Sequence, residues 1–181
     1  MEKKICDLLN RSLERAVREL KYRKMDEDSF LPNVMFFCGD SLESANDIVE
    51  KWAKDNNVNL VVVDGNDYDV IRYASEMVSI GYLTKSYLAP TKEQIEKLNK
   101  DNTVLFLKNI HKMDNKFYRR KIFDFINELI VADESKEEGY TVVNNMLFAV
   151  ATVGEMDHSE AFEMCTIDAK DAFICRIHLD K

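Results

Sequence analysis

Apolar residues recur every three or four positions along residues 2–24, and Lys, Arg and Glu fill most positions between them. This spacing predicts an N-terminal amphipathic helix within residues 1–25, packed on the rest of the domain or leading into it. Its apolar members are Ile5, Leu9, Leu13, Val17 and Leu20. Residues 41–54 repeat the pattern and predict a second helix, whose apolar face contains Leu42, Ala45, Ile48, Val49 and Trp52.

Short, unbroken apolar runs alternate with these helical segments. The runs cover residues 33–38, 60–63, 103–107 and 146–152, and residues 176–179 are expected to form a last short strand. Such runs are typical of strands that are buried on both faces of a parallel sheet. Their alternation with helices predicts an α/β fold with three layers, α/β/α, around a mostly parallel five-stranded sheet. At roughly 150 residues per domain, the 181 residues predict a single domain, 1–181.

The segments between the strands predict the remaining elements. Further helices are expected over residues 68–78, 91–100, 115–132 and 168–174. A charged turn at residues 133–139 precedes residues 140–143, which we interpret as an edge strand or the arm of a hairpin.

Composition narrows the class of protein. The chain has 33 Asp and Glu against 25 Lys and Arg, a net charge of -8, which argues against a general surface for duplex DNA. A hydrophobic content of 46% with five Gly and two Pro excludes collagen-like and disordered chains. No apolar run approaches the roughly 18 residues of a membrane span, and the N-terminal residues are charged, so we expect a cytoplasmic protein with no membrane partner.

Cysteine and histidine residues are too scattered to predict a metal site. Cys6, Cys38, Cys165 and Cys175 include no CxxC pair, and His111, His158 and His178 lie far from one another in the sequence. Reduced thiols and no bound metal are therefore expected.

The first strand-to-helix turn, residues 39–46, reads GDSLESAN. In open α/β domains, helix N-terminal amides at this turn commonly bind phosphate. Aligned with GxxxxGK[ST], the turn keeps the first glycine, but Ser44 replaces the second glycine and Ala45 the phosphate-binding lysine. Asn46 replaces the hydroxyl that binds Mg²⁺. The degenerate phosphate loop thus contains Gly39, Asp40, Ser41, Ser44, Ala45 and Asn46.

With these segments, the chain resembles the core of the AAA+ ATPases, ring-forming P-loop NTPases, from the first helix almost to the C-terminus. The clearest segment is VLFLKNIHKM, residues 104–113. In the family this strand ends in Asp-Glu, so Lys108 stands in place of the metal-binding Asp and Asn109 in place of the Glu that activates water. MLFAVAT, residues 146–152, is similar to the sensor strand, and Val153 takes the polar sensor position. Residues 169–177 resemble the segment carrying an arginine that acts across the subunit interface, here Arg176.

The finer resemblance of residues 115–143 is to the dynein and midasin-like branch, and the family's helical lid has no counterpart. Phosphoryl transfer requires a lysine and Mg²⁺ on the phosphates and a carboxylate that orients water. Because these groups are replaced, the resemblance implies a pseudo-ATPase with negligible hydrolysis, no cofactor and no metal. Its role would be protein interaction as an accessory subunit, with an active AAA+ ATPase or a second copy as partner and Arg176 acting in trans.

Two alternatives remain open at this stage. The Lys108 ammonium could replace Mg²⁺ and support weak binding of ATP or ADP without metal, or it could reach solvent or pair with Asp64 or Asp40. A replication or clamp-loader-like accessory protein could contact DNA through a basic helix that contains Lys116, Arg119 and Arg120.

Tyr82, in a Gly-Tyr-Leu segment, lies where AAA+ rings place loops that line the central pore. An exposed aromatic residue suits contact with a partner, whereas a tyrosine that packs on its own domain is the structural alternative.

Overall fold

The computed structural model describes residues 1–23, 33–66, 92–112, 126, 130–132, 136–143, 145–154 and 174–179. The helices are α1 (Glu2–Arg23), α2 (Leu42–Asp55) and α3 (Lys92–Leu98), with a 3-10 turn at Ile110–Lys112. The strands are β1 (Asn33–Gly39), β2 (Asn59–Asp64), β3 (Thr103–Lys108), β4 (Ile130–Ala132), β5 (Tyr140–Val142), β6 (Met146–Val153) and β7 (Ile174–Leu179). None of the described helices has the length and apolarity that a membrane span requires.

Five of the strands form one sheet in the order β2-β3-β6-β1-β7. Every neighbouring pair in this sheet is parallel. Strands β4 and β5 form a separate antiparallel pair. The predicted α/β class with a parallel sheet is therefore confirmed.

The central strands are buried on both faces. All eight residues of β6 are buried, as are the first five of β3. Phe37 and Phe106 belong to the core cluster that includes residues of α1 and α2, whereas their neighbours Phe36 and Leu105 alternate to the opposite face and are also buried. This double burial explains why the strands read as unbroken apolar runs rather than as alternating ones.

Helix α1 packs its inner stripe on α2 and the sheet. Ile5, Leu9 and Ala16 are buried, and burial of a large aliphatic side chain contributes roughly 1.5–3 kcal/mol. Val17, predicted on the same stripe, is 40% exposed, so its predicted position is wrong. Four-residue steps drift by about 40° each on a helix with 3.6 residues per turn, so three steps from Ile5 carry Val17 about 120° away. Ala16 returns to within about 20° of Ile5 and takes the buried position.

Polar contacts fix α1 against α2. The indole Nε1 of Trp52 donates a hydrogen bond of 2.8 Å to Oδ1 of Asn10, and the Trp52 ring lies 6.2 Å from that of Phe148. Glu2 and Lys51 form an exposed ion pair, in which the pKa of the Glu2 carboxyl is lowered and that of Lys51 is raised by their hydrogen bond. The buried indole therefore joins α1, α2 and β6 at one point.

Two predicted helix ends are wrong. Residues 130–132, predicted as the end of a helix, form β4, which pairs with β5 in the register Ile130↔Val142 and Ala132↔Tyr140. Ile and Val have high β propensity, and the cross-strand partner decides between the two conformations. Ile174, predicted at the end of a short helix, begins β7. Residues 140–142 form the predicted hairpin arm, and the helix predicted at 68–78 lies outside the described residues.

Candidate functional site

The carboxyl ends of the parallel strands form the candidate site. Strands β1 and β6 are neighbours in the sheet, but the chain continues from them in opposite directions. After β1 it runs to the edge strand β2, and after β6 it runs to β7, the strand at the opposite edge. Such a reversal is a topological switch point, and ligands of open α/β sheets bind outside the carboxyl ends of the strands there. The site therefore comprises the residues that follow β1, β3 and β6.

The connection from β1 to α2 is short. Strand β1 ends at Gly39, which has a φ of 135° that favours glycine, and α2 begins at Leu42, so Asp40 and Ser41 alone connect them. Ser41 caps the helix through its carbonyl, which accepts a bond of 3.1 Å from the Ala45 N–H, and its side chain makes no capping bond. Ser44, Ala45 and Asn46, predicted in the degenerate phosphate loop, lie within α2.

Ala45 is packed in the core. Its exposure is 0%, and it belongs to the same cluster as Val49 and Phe148. The position that the alignment assigns to the phosphate-binding lysine therefore holds a methyl group surrounded by apolar side chains.

Three polar side chains from different elements bind one another at this point. Thr152 Oγ1, in β6, donates to Asn46 Oδ1 at 2.7 Å, and Asn46 Nδ2, in α2, donates to Asn109 Oδ1 at 3.3 Å. The backbone N–H of Asn109, after β3, donates back to Thr152 Oγ1 at 3.0 Å. We call these residues the Asn–Asn–Thr cluster. It forms a closed ring of hydrogen bonds across α2, β3 and β6.

Burial makes this cluster energetically important. Asn46 is 3% exposed and Thr152 is fully buried. A buried polar group without a partner costs about 1–3 kcal/mol, whereas the ring satisfies the Thr152 hydroxyl both as donor and as acceptor. The cluster thus stabilises the carboxyl end of the sheet.

The backbone around Asn109 is tight. Asn109 has a φ of 51°, in the left-handed region that asparagine tolerates better than most residues. Its carbonyl accepts a bond of 2.9 Å from the Lys112 N–H and closes the 3-10 turn. Gly65, after β2, approaches so closely that a Cβ there would lie 2.2 Å from the Asn109 carbonyl oxygen. These contacts fix the direction in which the Asn109 side chain leaves the strand.

The end of β6 is apolar and connected to the same 3-10 turn. Val153, at the predicted sensor position, is fully buried and aligns with Cys38 of β1. The next residue, Gly154, donates its N–H to Nδ1 of His111 at 3.0 Å. An imidazole nitrogen that accepts a hydrogen bond carries no proton, so this geometry corresponds to a neutral His111.

Lys108 binds a partner that the sequence does not predict. Its Nζ lies 2.8 Å from Oε1 of Glu50, one helical turn after Asn46 in α2. The hydrogen bond to Glu50 raises the pKa of the Lys108 ammonium above its usual value. The predicted pairing with Asp64 or Asp40 is therefore wrong. Asp64 instead accepts hydrogen bonds from the backbone N–H and the Nδ2 of Asn66, at 2.9 and 2.8 Å.

Arg176 does not lie at the carboxyl ends of the strands. The backbone of Arg176 lies within β7, aligned with Phe36 in the middle of β1, three positions before the carboxyl end of the strand. Tyr82, Lys116, Arg119 and Arg120 lie outside the described residues. The proposals that depend on these residues therefore stay predictions.

Glu50, Thr152 and His111 were not predicted as site residues. For Thr152 the sequence does contain a signal, because it is the only polar residue in the run of eight that forms β6. Within the ranges that the structure describes, no group of three or more His, Cys, Asp or Glu side chains could hold a metal ion. The polar side chains of the site bind one another: Asn46, Asn109 and Thr152 form the cluster, and Lys108 pairs with Glu50.

Comparison with known proteins gives no assignment. No protein-family model matches the sequence, and no curated protein shows significant similarity to it.

Proposed function

We propose that this chain is a pseudo-ATPase domain with an AAA+-like core, which acts through protein interaction rather than nucleotide hydrolysis. The carrying observation is the Asn–Asn–Thr cluster. In the alignment with AAA+ motifs, Asn46 takes the position of the Mg²⁺-binding hydroxyl and Asn109 that of the catalytic carboxylate. In this structure the two asparagines bind each other and Thr152. Neither can activate water as a carboxylate does.

Charge at the site supports the same proposal. Ala45 offers no cation, and the Lys108 ammonium is engaged by Glu50 at 2.8 Å. A nucleotide would have to displace this carboxylate to use Lys108 as a substitute for Mg²⁺. A polyanion beside Glu50 would also meet repulsion, which Coulomb scaling puts at about 1–4 kcal/mol for unit charges 4 Å apart at water-like to surface-like dielectric. The ion pair thus disfavours the Mg²⁺-independent alternative.

The test is thermal unfolding of the purified protein with ATP, with ADP and without nucleotide, each in the presence and absence of Mg²⁺. Nucleotide at a hundredfold its dissociation constant would add about 2.7 kcal/mol, or about 5–10 °C for a chain of this size. We expect no shift in any condition. An active P-loop ATPase measured in parallel is the positive control, because its thermal shift shows that the assay detects nucleotide binding.

The variant Lys108→Gln separates the alternatives. If ATP shifts the unfolding temperature of the natural chain without Mg²⁺ and this variant loses the shift, Lys108 binds nucleotide and the pseudo-ATPase proposal is wrong. The matched control Lys54→Gln changes an exposed lysine on the same helix as Glu50. A cytoplasmic location belongs to the same proposal.

A further inference from the structure

Two hydrogen bonds join the segment that follows β3 to the end of β6. Within the Asn–Asn–Thr cluster, the Asn109 N–H donates to Thr152 Oγ1 at 3.0 Å. Two residues further along each segment, the Gly154 N–H donates to Nδ1 of His111, also at 3.0 Å. The first acceptor is a hydroxyl, which does not titrate near neutral pH, whereas the second is an imidazole, which can take up a proton there. The two bonds should therefore respond differently to acid.

The imidazole of His111 lies in the space that a side chain at position 154 would need. A Cβ added to Gly154 would lie 3.3 Å from Cδ2 and 3.5 Å from Nε2 of the ring. Gly154 does not have the positive φ that favours glycine at Gly39. The close approach of the ring, rather than the backbone conformation, is thus what a side chain at this position would disturb.

Water can reach both partners of this bond. His111 and Gly154 are partly exposed, although their neighbours Ile110 and Val153 are fully buried. A proton can therefore reach the ring without unfolding of the core. Once the bond is lost, the Gly154 N–H can bind water instead, which keeps the cost of the change small and local.

The charges around the turn do not include a carboxylate paired with the ring in the contacts described above. Strand β6 contains no titratable side chain. Lys108, at the end of β3, pairs with Glu50 of α2, and Asp64, at the end of β2, accepts hydrogen bonds from the turn that follows it. Lys112 follows His111 directly, so a proton on the ring would place two cations next to each other. The other titratable groups that the structure describes at this end of the sheet are Cys38, Asp40, Glu43 and Asp47.

We propose that His111 is a pH-sensitive switch at the carboxyl end of the sheet. The neutral imidazole holds the 3-10 turn on the end of β6 by accepting the Gly154 N–H. In mild acid, Nδ1 binds a proton and can no longer accept, so the turn and the end of β6 separate. The Asn–Asn–Thr cluster contains no group that titrates in this range and keeps the strands together. The surface that the candidate site offers to a partner therefore changes while the fold persists.

This inference goes beyond the proposed function and does not depend on it. A thermal shift with nucleotide would overturn the pseudo-ATPase proposal and leave the switch untouched. A Gly154 N–H that does not respond to acid would overturn only the switch.

The experiment is nuclear magnetic resonance of the ¹⁵N-labelled chain at about pH 8 and about pH 5, on either side of the ordinary histidine range. At the higher pH, the imidazole nitrogen shifts of His111 should show Nδ1 without a proton. Amide hydrogen exchange, expressed relative to an unstructured peptide at the same pH, measures each bond. Protection of the Gly154 N–H should fall roughly three- to tenfold in acid, the range expected for one net hydrogen bond. Protection of the Asn109 N–H should change less than about twofold.

Variants assign the response to His111. In His111→Asn, the side-chain oxygen can take the place of Nδ1 and does not titrate, so Gly154 should be protected equally at both pH values. His111→Phe removes the acceptor and should leave Gly154 weakly protected at both. The control His158→Asn changes another histidine and should keep the response of the natural chain.

Three results would overturn the switch. The first is a proton on Nδ1 of His111 at about pH 8, because that nitrogen could not then accept the Gly154 N–H. The second is protection of Gly154 that does not fall in acid. The third is a response that persists in His111→Asn or disappears in His158→Asn, because another group would then be its cause.

Discussion

The carboxyl end of the sheet and the segment that enters β5 differ in whether their polar groups are buried and bonded to one another or exposed to solvent. In the Asn–Asn–Thr cluster, buried side chains satisfy one another through hydrogen bonds of 2.7–3.3 Å. Just before β5, Glu137 and Glu138 are exposed and take part in none of the ion pairs among the described residues, and Val142 within β5 is exposed as well. A region whose groups bind one another stabilises the fold, whereas a region with unsatisfied charge and exposed apolar area can bind a partner. Mutations should therefore separate stability from association.

The largest effect is expected for Gly65→Ala. The added Cβ would lie 2.2 Å from the backbone carbonyl oxygen of Asn109, so the turn that supports the cluster must shift. We expect a loss of about 3 kcal/mol in the free energy of unfolding, measured by urea denaturation. Gly139→Ala in the hairpin turn is the control, since its φ of 74° adds strain but no atom lies within 4 Å. It should cost only about 1 kcal/mol, and equal losses would contradict the close approach at Gly65.

Thr152→Val tests the cluster directly. The substitution keeps the volume of the side chain but leaves Asn46 Oδ1 and the Asn109 N–H without their partner, so we expect a loss of about 2 kcal/mol. Thr152→Ser keeps the hydroxyl and removes one methyl group, which should cost about 1 kcal/mol. Urea denaturation of both variants distinguishes the two contributions. A valine variant as stable as the natural chain would mean that the cluster adds nothing.

Lys108→Gln should have a smaller and pH-dependent effect. The Lys108 side chain is 26% exposed and that of Glu50 45%, so the pair contributes less than about 1 kcal/mol. Because the pKa of Lys108 is raised in the folded state, its contribution is complete below the ordinary lysine pKa of about 10.4 and is lost as pH rises through the folded value. Stability of both chains measured from neutral to strongly alkaline pH should converge. A difference that persists there would exclude the ion pair as its cause.

The smallest effect on stability is expected for Glu137→Lys/Glu138→Lys. Both residues are exposed, so the free energy of unfolding should stay within about 0.5 kcal/mol of the natural value. Thermal and urea unfolding of the monomeric fraction would check this. A larger loss would mean that these carboxylates stabilise the fold. They would then not differ in this respect from the Asn–Asn–Thr cluster.

The sequence predicts most of the described fold because the buried strands are local apolar runs bounded by Gly39 and other turn formers. Errors arise where a distant partner decides the conformation. Residues 130–132 have apolar positions that suit a helix, and only pairing with residues 140–142 makes them a strand. The prediction for Val17 is wrong for a different reason. Residues spaced by four stay near one face of a helix for about two turns, but over longer stretches they rotate away from that face.

The candidate site could be predicted only in part. Asn46, Lys108 and Asn109 were identified by alignment, but their partners were not. Thr152 lies 106 residues from Asn46 in the sequence, and Glu50 lies 58 residues from Lys108, so these contacts exist only after the sheet has formed. No local pattern contains that information.

The buried methyl group of Ala45 has an evolutionary consequence. If an ancestor of this chain bound nucleotide, a single substitution to lysine at position 45 would now place an ammonium among apolar side chains, where a charge is strongly disfavoured. Glutamate at position 109 would further have to adopt the left-handed backbone at φ 51°. Each backward step is penalised before the others can help. A return to nucleotide binding would therefore require several substitutions made together, because each one alone would first destabilise the folded chain.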